Sequence, residues 1–511
     1  MRKVFNNPAE LEKVSKEKFS IPPFLMMENA ARSMAEFIIN KNPKSLFILC
    51  GKGNNGGDGF ALSRLLEDKC DVTVICPEIP TATEAQVQYE ICQKLGIKII
   101  KDFDWKKLKG QLSKPISDTI IVDCLYGIGF HGELKSEIKE ILDKINQIDC
   151  LKIACDLPSA LYFRADYTIT MGQEKTVLCS DVAKAVCGKI IVADLGISRQ
   201  KFEENLPCDA YLIEENDAKL PFRKNPAANK GTYGHTCVFA GEKAGAAIIS
   251  ATAAMKFGSG LTTLVKTPGT NLEQFKISPE LMIAEKIPKK TTAVVLGPGF
   301  SGKDFGEIEG DGAEKSVCGG VDDGRPVLQT LLSWFSTAKN PALVLDAGIF
   351  SYEKICLLLE KLNKIENARI ILTPHLLECS RLFAKIKENY PSVDFSDSDI
   401  QVKNLANSAE MKIKLGKIFN QIYPKTTLVM KSANTFIASQ GEIFICRDGG
   451  QSLAKGGSGD VLAGLCGSLL AQGYSAKDAA ITAVEAHALA SQKIGDQAYD
   501  LTPEGLIETL R

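Results

Sequence analysis

The sequence predicts two consecutive α/β domains built on mostly parallel sheets, and three observations carry that expectation. Apolar runs are short, rich in β-branched residues and continuous rather than alternating, as in strands covered on both faces. Patterns of helical spacing lie between these runs, so strand and helix alternate along the chain. Glycine-rich turns follow several of the runs directly, at the point where a helix opens.

In the first half, strands are expected at 45–50 (SLFILC), 72–76 (VTVIC), 119–123 (TIIVD), 151–155 (LKIAC) and 189–193 (KIIVA), with helices at 24–40, 59–68 and 84–95. In the second half, strands are expected at 236–240, 261–266, 293–296, 342–346, 369–372, 427–431 and 436–438. The helices of that half fall at 245–257, 376–388, 405–420, 459–472 and 476–493. Between the halves, 213–229 (IEENDAKLPFRKNPAAN) is polar, charged and twice interrupted by proline, and reads as a linker between domains 1–212 and 230–511. Residues 301–325 are acidic, glycine-rich and nearly free of apolar side chains, and read as a surface insertion.

The chain has 511 residues, 45% hydrophobic and 24% charged, an ordinary globular mix with room for a core in each half. Lys+Arg 61 against Asp+Glu 62 leaves a formal net charge of -1, which argues against a broad basic field and hence against nucleic acid as a partner. The 16 cysteines form no C-x-x-C pair and no Cys/His zinc spacing. Several, such as Cys50, Cys76 and Cys446, sit in apolar runs, where a thiol packs as a small hydrophobe. Reduced core thiols point to a cytoplasmic protein. The first residues, MRKVFNNPAELEKVSKEKF, carry no signal-like apolar stretch. No run of about 18 apolar residues occurs either, so no membrane span is expected.

The run 45–50 leads straight into Gly51-Lys52-Gly53-Asn54-Asn55-Gly56-Gly57-Asp58-Gly59, and a helix follows. Strand, glycine-rich turn and helix N-terminus form an anion site, because glycine admits close approach and the first N–H groups are free. Gly51-x-Gly53-x-x-Gly56 matches the dinucleotide fingerprint, with Glu78 placed after the next strand to meet a ribose. Asn54, Asn55 and Asp58 add polar groups that packing alone does not need. Asp123 and Asp156 end two further strands, so they converge on the same rim of a parallel sheet. Taken singly, either Asp also reads as a turn or helix cap.

In the second half, Gly456-Gly457-Ser458-Gly459-Asp460 opens a helix, again a phosphate-compatible N-terminus. Asp460 suits either a cap or a base beside a transferred phosphate. Thr373-Pro374-His375-x-x-Glu378 follows one strand and Lys431-Ser432-Ala433-Asn434-Thr435 another, and the lysine can neutralise phosphate. Gly297-Pro298-Gly299 ends a third. Gly297-x-x-x-x-Gly302-Lys303-Asp304 is not a P-loop, since Asp stands where the magnesium-binding Ser or Thr belongs.

The segments MMENAARSMAEFI, GKGNNGGDGFALSRLL, DCLYGIGFHGEL and CDLPS resemble the epimerase domain of the NAD(P)H-hydrate repair family. That resemblance implies a Rossmann-like, three-layer domain that interconverts the R and S forms of hydrated NADH and NADPH. It implies that Asn54, Asn55, Gly56, Gly57 and Asp58 cradle the hydrated nucleotide. Gly127, Ile128, Gly129, Phe130, His131, Gly132 and Glu133 would contact it too. Asp156 would be the acid/base, and Asn55, Asp123 and Ser159 would hold potassium. Three positions depart from the family pattern: Ala160 stands where glycine is usual, the stretch 161–166 is short, and Glu174-Lys175-Thr176 stands where Lys-Pro-Gly is usual.

The set KGTYGH, GAAIISATAAMKFGSGLTT, VVLGPG, VLDAG, TPHLLE, MKSANT and LAKGGSGDVLAG resembles a ribokinase-like domain, and within it the ADP-dependent dehydratase of hydrated NAD(P)H. By that resemblance Gly245, Ala246, Gly299, His375 and Asp460 contact the hydrated nucleotide. Lys431, Ser432, Ala433, Asn434 and Thr435 bind ADP with Gly456, Gly457, Ser458 and Gly459, magnesium assists, and Asp460 is the base. The chain is therefore expected to be a bifunctional repair enzyme, a homo-oligomer by family habit. Two other readings stay open at this point: a ribokinase-like small-molecule kinase for a vitamin-precursor alcohol, and a nucleotide-binding protein with an inactive first half.

Overall fold

The computed structural model describes residues 1–7, 9–101, 116–130, 132–204, 206–301, 304–306, 308 and 326–510. His131 and most of the insertion 301–325 lie outside the described residues. The chain separates into two compact units, Lys3–Asp209 and Ala210–Arg511 with Met1–Arg2.

In the first unit the strands are β1 (Arg2–Phe5), β2 (Ser45–Cys50), β3 (Asp71–Ile75), β4 (Lys98–Ile100), β5 (Thr119–Cys124), β6 (Leu151–Cys155), β7 (Tyr167–Met171), β8 (Glu174–Lys175) and β9 (Lys189–Ala193). Seven of them form one parallel sheet in the order β4-β3-β2-β5-β6-β7-β9, while β1 pairs with β8. This is the doubly wound Rossmann order, with its switch point between β2 and β5. Side chains of β2 alternate between two cores: Leu46, Ile48 and Cys50 enter one, Phe47 and Leu49 the other. The first core is closed by α2 (Pro23–Ile39), α3 (Asn54–Leu66) and α4 (Thr83–Lys94), which follow α1 (Ala9–Phe19). The second is closed by α5 (Ser136–Asn146), through Ile138, Leu142 and Ile145. Both faces are covered, which is why the strands read as unbroken apolar runs.

The second unit is built on β10 (Ala210–Leu212), β11 (His235–Ala240), β12 (Leu261–Lys266), β13 (Met282–Ala284), β14 (Ala293–Leu296), β15 (Ala342–Leu345), β16 (Arg369–Leu372), β17 (Thr426–Met430), β18 (Thr435–Ser439) and β19 (Glu442–Cys446). Their order is β13-β12-β11-β14-β15-β16-β17-β18-β19-β10. The sheet is parallel from β13 to β17, and β17-β18-β19 is an antiparallel meander. Ala210–Leu212, placed with the first domain by the sequence, pairs with β19 and packs in the second unit. The segment read as a linker is ordered on that unit: Lys219 N–H donates to Thr482 Oγ1 at 3.0 Å, and Leu220 packs on its core.

The buried helix Ser458–Ala471 is apolar nearly all round and lies against Ala244–Lys256. The two approach closely enough that a Cβ on Gly464 would sit 2.2 Å from the Ser250 carbonyl oxygen. At the start of the insertion, Phe305 is fully buried and stacks on Phe300 at 5.2 Å. No disulfide joins the cysteines among the described residues, and most of them are buried. No helix among the described residues is long and apolar enough to cross a membrane.

Candidate functional site

Each unit carries a site at the carboxyl ends of its parallel strands. In the first, the glycine-rich turn is dictated by backbone crowding. A Cβ on Gly51 would lie 1.9 Å from the Leu125 carbonyl oxygen, and one on Gly56 equally close to that of Gly51. Helix α3 starts at Asn54 after Gly53, which offers no side-chain cap, so its first N–H groups face outward. A cavity of about 700 Å³ opens there. It is lined by Asn54, Asn55, Asp58, Gly127, Ile128, Gly129, Phe130, Glu133, Asp156 and Lys175. Gly56 and Gly57 are buried beneath the turn and shape it rather than line it.

Asp123 and Ser159, 36 residues apart, are in contact. Ser159 Oγ donates to Asp123 Oδ1 and its N–H to Oδ2, both at 2.7 Å. Burial raises the Asp123 carboxyl to about 6 despite these bonds. Both amide atoms of Asn55 are buried without a hydrogen-bond partner, and its side chain flanks Gly127, next to Tyr126, whose N–H donates to Ser159 Oγ. An orphaned amide, a hydroxyl and one carboxylate are hard oxygen donors of low total charge. They fit a monovalent cation.

Asp156 sits just past β6 in a left-handed conformation (φ 64°), a strained geometry for a side-chain-bearing residue. Lys175 Nζ donates to Asp156 Oδ1 at 2.6 Å, to Thr170 Oγ1 at 2.7 Å and to the Met171 carbonyl at 3.1 Å. The lysine is 2% exposed, so its ammonium is largely shielded, while Asp156 faces the cavity. Asp156 Oδ2 points toward Gly127. Asp58 faces the same cavity, and burial, then the neighbouring Asp156, push its carboxyl well above the usual range. The sequence reading noted Lys175 only as a break in a family pattern. The chain reversal from β7 into β8 folds its ammonium group back onto Thr170, Met171 and Asp156.

In the second unit the expected residues form two adjoining groups. Gly299 lies by Ala246 and Lys243: a Cβ on it would sit 2.2 Å from the Lys243 carbonyl oxygen and 3.5 Å from Ala246 Cβ. Gly245 is close to Phe275. The second group centres on Lys431, whose Nζ donates to Asp346 Oδ1 at 2.8 Å. Thr373 Oγ1 donates to the same oxygen at 2.7 Å. A backbone bridge joins His375 to Lys431, and a Cβ on Gly459 would lie 3.2 Å from Lys431 Nζ. The two groups meet at Gly297, which packs against the Asp346 backbone.

His375 caps helix Leu376–Asn389 and forms a reciprocal box with Glu378. Burial raises the Glu378 carboxyl to about 7 and lowers the His375 imidazole. Asp460 is raised to about 6 by burial, with Asp346 adding and Lys431 opposing. Burial works to lower the Lys431 ammonium, but Asp346, Glu378 and Asp460 outweigh it and the net shift is upward. Gly457 precedes the Ser458–Ala471 helix in a left-handed conformation (φ 90°), and Ser458 Oγ contacts His487 Nε2 at 3.2 Å. Ser432 receives a bond from Lys412 Nζ at 2.7 Å and donates to the Asn434 carbonyl.

The sequence reading assigned no role to Asp346 or Lys412. Asp346 carries the signal of a strand-end carboxylate, as Asp123 does. Lys412 has none, since a lysine on an amphipathic helix reads as solvated.

Family models match both units: YjeF-related protein N-terminus over residues 24–177, and NAD(P)H-hydrate dehydratase over residues 236–511. The bifunctional NAD(P)H-hydrate repair enzyme Nnr of Helicobacter pylori is 34% identical, covering 100% of both chains. Its namesake in Coxiella burnetii is 29% identical over 98% of this chain and 95% of its own. A solved ADP/ATP-dependent NAD(P)H-hydrate dehydratase from Bacillus subtilis, co-crystallised with ATP/Mg2+, is 21% identical over 59% of this chain and 96% of its own, with a TM-score of 0.44.

Proposed function

The chain belongs to the bifunctional NAD(P)H-hydrate repair enzymes, and from that premise we propose how its two sites divide the work. The enzyme repairs hydrated NADH and NADPH: the first unit epimerises the R and S forms, and the second dehydrates the S form at the expense of ADP. The observation that carries this reading is end-to-end similarity to such an enzyme across both units.

In the first unit Asp156 is the group that takes and returns a proton as the hydrated ring opens and recloses. Lys175 holds Oδ1, which leaves Oδ2 toward the substrate side. Asp58, whose carboxyl burial and then Asp156 push well above the usual range, faces the same cavity and is in place to bond the ring or its hydroxyl. The N–H groups at 54–56, which precede the first intrahelical bond from Gly57 N–H to the Gly53 carbonyl, would hold a phosphate of the nucleotide. Asn55, Asp123 and Ser159 would hold potassium, whose positive charge offsets that of the bound pyrophosphate.

In the second unit hydroxide is a poor leaving group, and phosphoryl transfer from ADP to the substrate hydroxyl converts it into phosphate. The Asp460 carboxylate accepts the hydroxyl proton as its oxygen attacks phosphorus, and the bond from phosphorus to AMP breaks. Loss of phosphate from one ring carbon and of a proton from its neighbour then restores the ring double bond and with it the reduced nicotinamide. Lys431 and the helix N-terminus at Gly457–Asp460 neutralise the phosphates. No three His, Cys, Asp or Glu among the described residues form a metal cluster. Asp346 and Glu378 would hold a magnesium ion here, and it would supply charge stabilisation on the phosphates. We assign the protein to the cytoplasm and expect a homo-oligomer.

The test is incubation of mixed hydrated-NADH epimers with ADP or ATP, with and without potassium, following each epimer chromatographically. Regenerated NADH with AMP and phosphate supports the reading. A stable phosphorylated product from an alcohol panel, with no NADH, overturns it in favour of a kinase.

A further inference from the structure

The first cavity extends beyond the acid/base group. Asp156 follows β6, whereas Glu78 follows β3, and β2 and β5 lie between those strands. Three strand spacings separate the two positions by roughly 14 Å. Both residues line one cavity. With the nicotinamide ring at Asp156 and the pyrophosphate at the switch-point turn, the adenosine half of a dinucleotide falls over β3.

An ion pair stands there. Lys135 Nζ lies 2.5 Å from Glu78 Oε1, and Lys52 adds its charge to the same carboxylate. Lys52, Lys135 and Lys175 are the cations among the described lining residues, and Lys175 is committed to Asp156. The Glu78 loop is tied to the glycine-rich turn, since Thr81 and Ala82 N–H both donate to the Lys52 carbonyl, at 2.9 and 3.4 Å. Lys135 lies at the cap position of α5, at the far end of the segment that begins with Gly127. Two elements that border the nucleotide thus meet at this pair.

We propose that Glu78, Lys135 and Lys52 form the subsite for the adenosine ribose, and that this subsite sets the choice between hydrated NADH and hydrated NADPH. Glu78 accepts a hydrogen bond from a free ribose 2′-hydroxyl, with Lys135 neutralised beside it. A 2′-phosphate takes the place of Glu78 at Lys135 and meets Lys52 as well, while the carboxylate swings toward solvent, where it is already 36% exposed. The Lys135 hydrogen bond holds the Glu78 carboxyl below the usual range, so it stays an acceptor at neutral pH. The pair is a ribose reader with two settings, which accounts for acceptance of both nucleotides at one site.

The proposal rests on the epimerase reading, and the test separates the two. Epimer exchange is measured on the full-length protein with hydrated NADH and with hydrated NADPH, for the wild type, Glu78→Gln and Lys135→Ala. Glu78→Gln is expected to raise the NADPH-form to NADH-form ratio of kcat/KM, and Lys135→Ala to lower it, each by about tenfold, the scale of one charge-assisted bond. Equal changes for the two substrates, or an unmoved ratio in both variants, would overturn the subsite. If the wild type exchanges neither substrate, the epimerase reading itself fails.

Discussion

Lys175 and Asp156 form an ion pair, and that makes each dependent on the other. Removing the lysine leaves a buried carboxylate without its counter-charge, and breaking such a pair is costly. Lys175→Met should therefore slow epimer exchange by about 10²-fold or more and lower the thermal stability of the first unit, and Lys175→Arg should restore part of both. Exchange rates and thermal unfolding of the three proteins check this, and an unchanged rate in Lys175→Met would reduce the lysine to scaffolding. Asp460 makes a second residue-scale prediction. It works as a base only when ionised, and its carboxyl is raised to about 6, so dehydration should fall as pH drops through about 6. Asp460→Asn should lose about 10²–10⁴-fold at any pH, and full turnover in that variant would remove Asp460 as the base. Ala160 gives a third. It stands where glycine is usual and adopts φ 55°, so Ala160→Gly should relieve strain and stabilise by about 1 kcal/mol in thermal unfolding. The strand-end acids were legible as a pattern, since each follows an apolar run. Lys175 was not, because it meets Asp156 from another element 19 residues away.

At the scale of elements, the turn 51–53 and the first turn of α3, which starts at Asn54 and not at 59 as the sequence suggests, are fixed by backbone approach rather than by side chains. Gly56→Ala would drive a Cβ into the Gly51 carbonyl oxygen, at 1.9 Å, and the turn must move to accept it. We expect a cost of about 1–3 kcal/mol and loss of epimer exchange. Dehydration of pure S substrate should persist, since that site belongs to the other unit. Differential unfolding and separate assays of the two steps check this, and intact exchange would mean the turn is not the phosphate cradle. Every strand expected from a continuous apolar run is present within about a residue, from Ser45–Cys50 to Thr435–Ser439. Strands such as Tyr167–Met171 (YTITM) and Lys98–Ile100 escaped because threonine and lysine break the apolar run. Helix Ser136–Asn146 escaped because glutamate and lysine dilute a stripe of only three buried residues. Ala409–Ile422 was legible but starts later than expected, since Ser408 ends one helix and caps the next.

For the whole molecule, a net charge of -1 offers no broad basic field, so anionic nucleotides are expected to depend on local devices such as helix N-termini and Lys431. The two-domain order was legible because each half carries its own strand-end chemistry. The boundary was less so. The polar stretch after 212 looks like a linker by composition, yet it is anchored to the second unit by Lys219 and Leu220. The central claim is that the product of one site is the substrate of the other. It is tested by supplying purified R epimer of hydrated NADH with ADP, magnesium and potassium, and recording the rise of NADH. The wild type should convert the R epimer fully, with S appearing transiently. Asp156→Asn should convert S but not R, and Asp460→Asn should let S accumulate without NADH. Complete conversion of R by the Asp156→Asn protein, or no conversion by the wild type, would contradict the account.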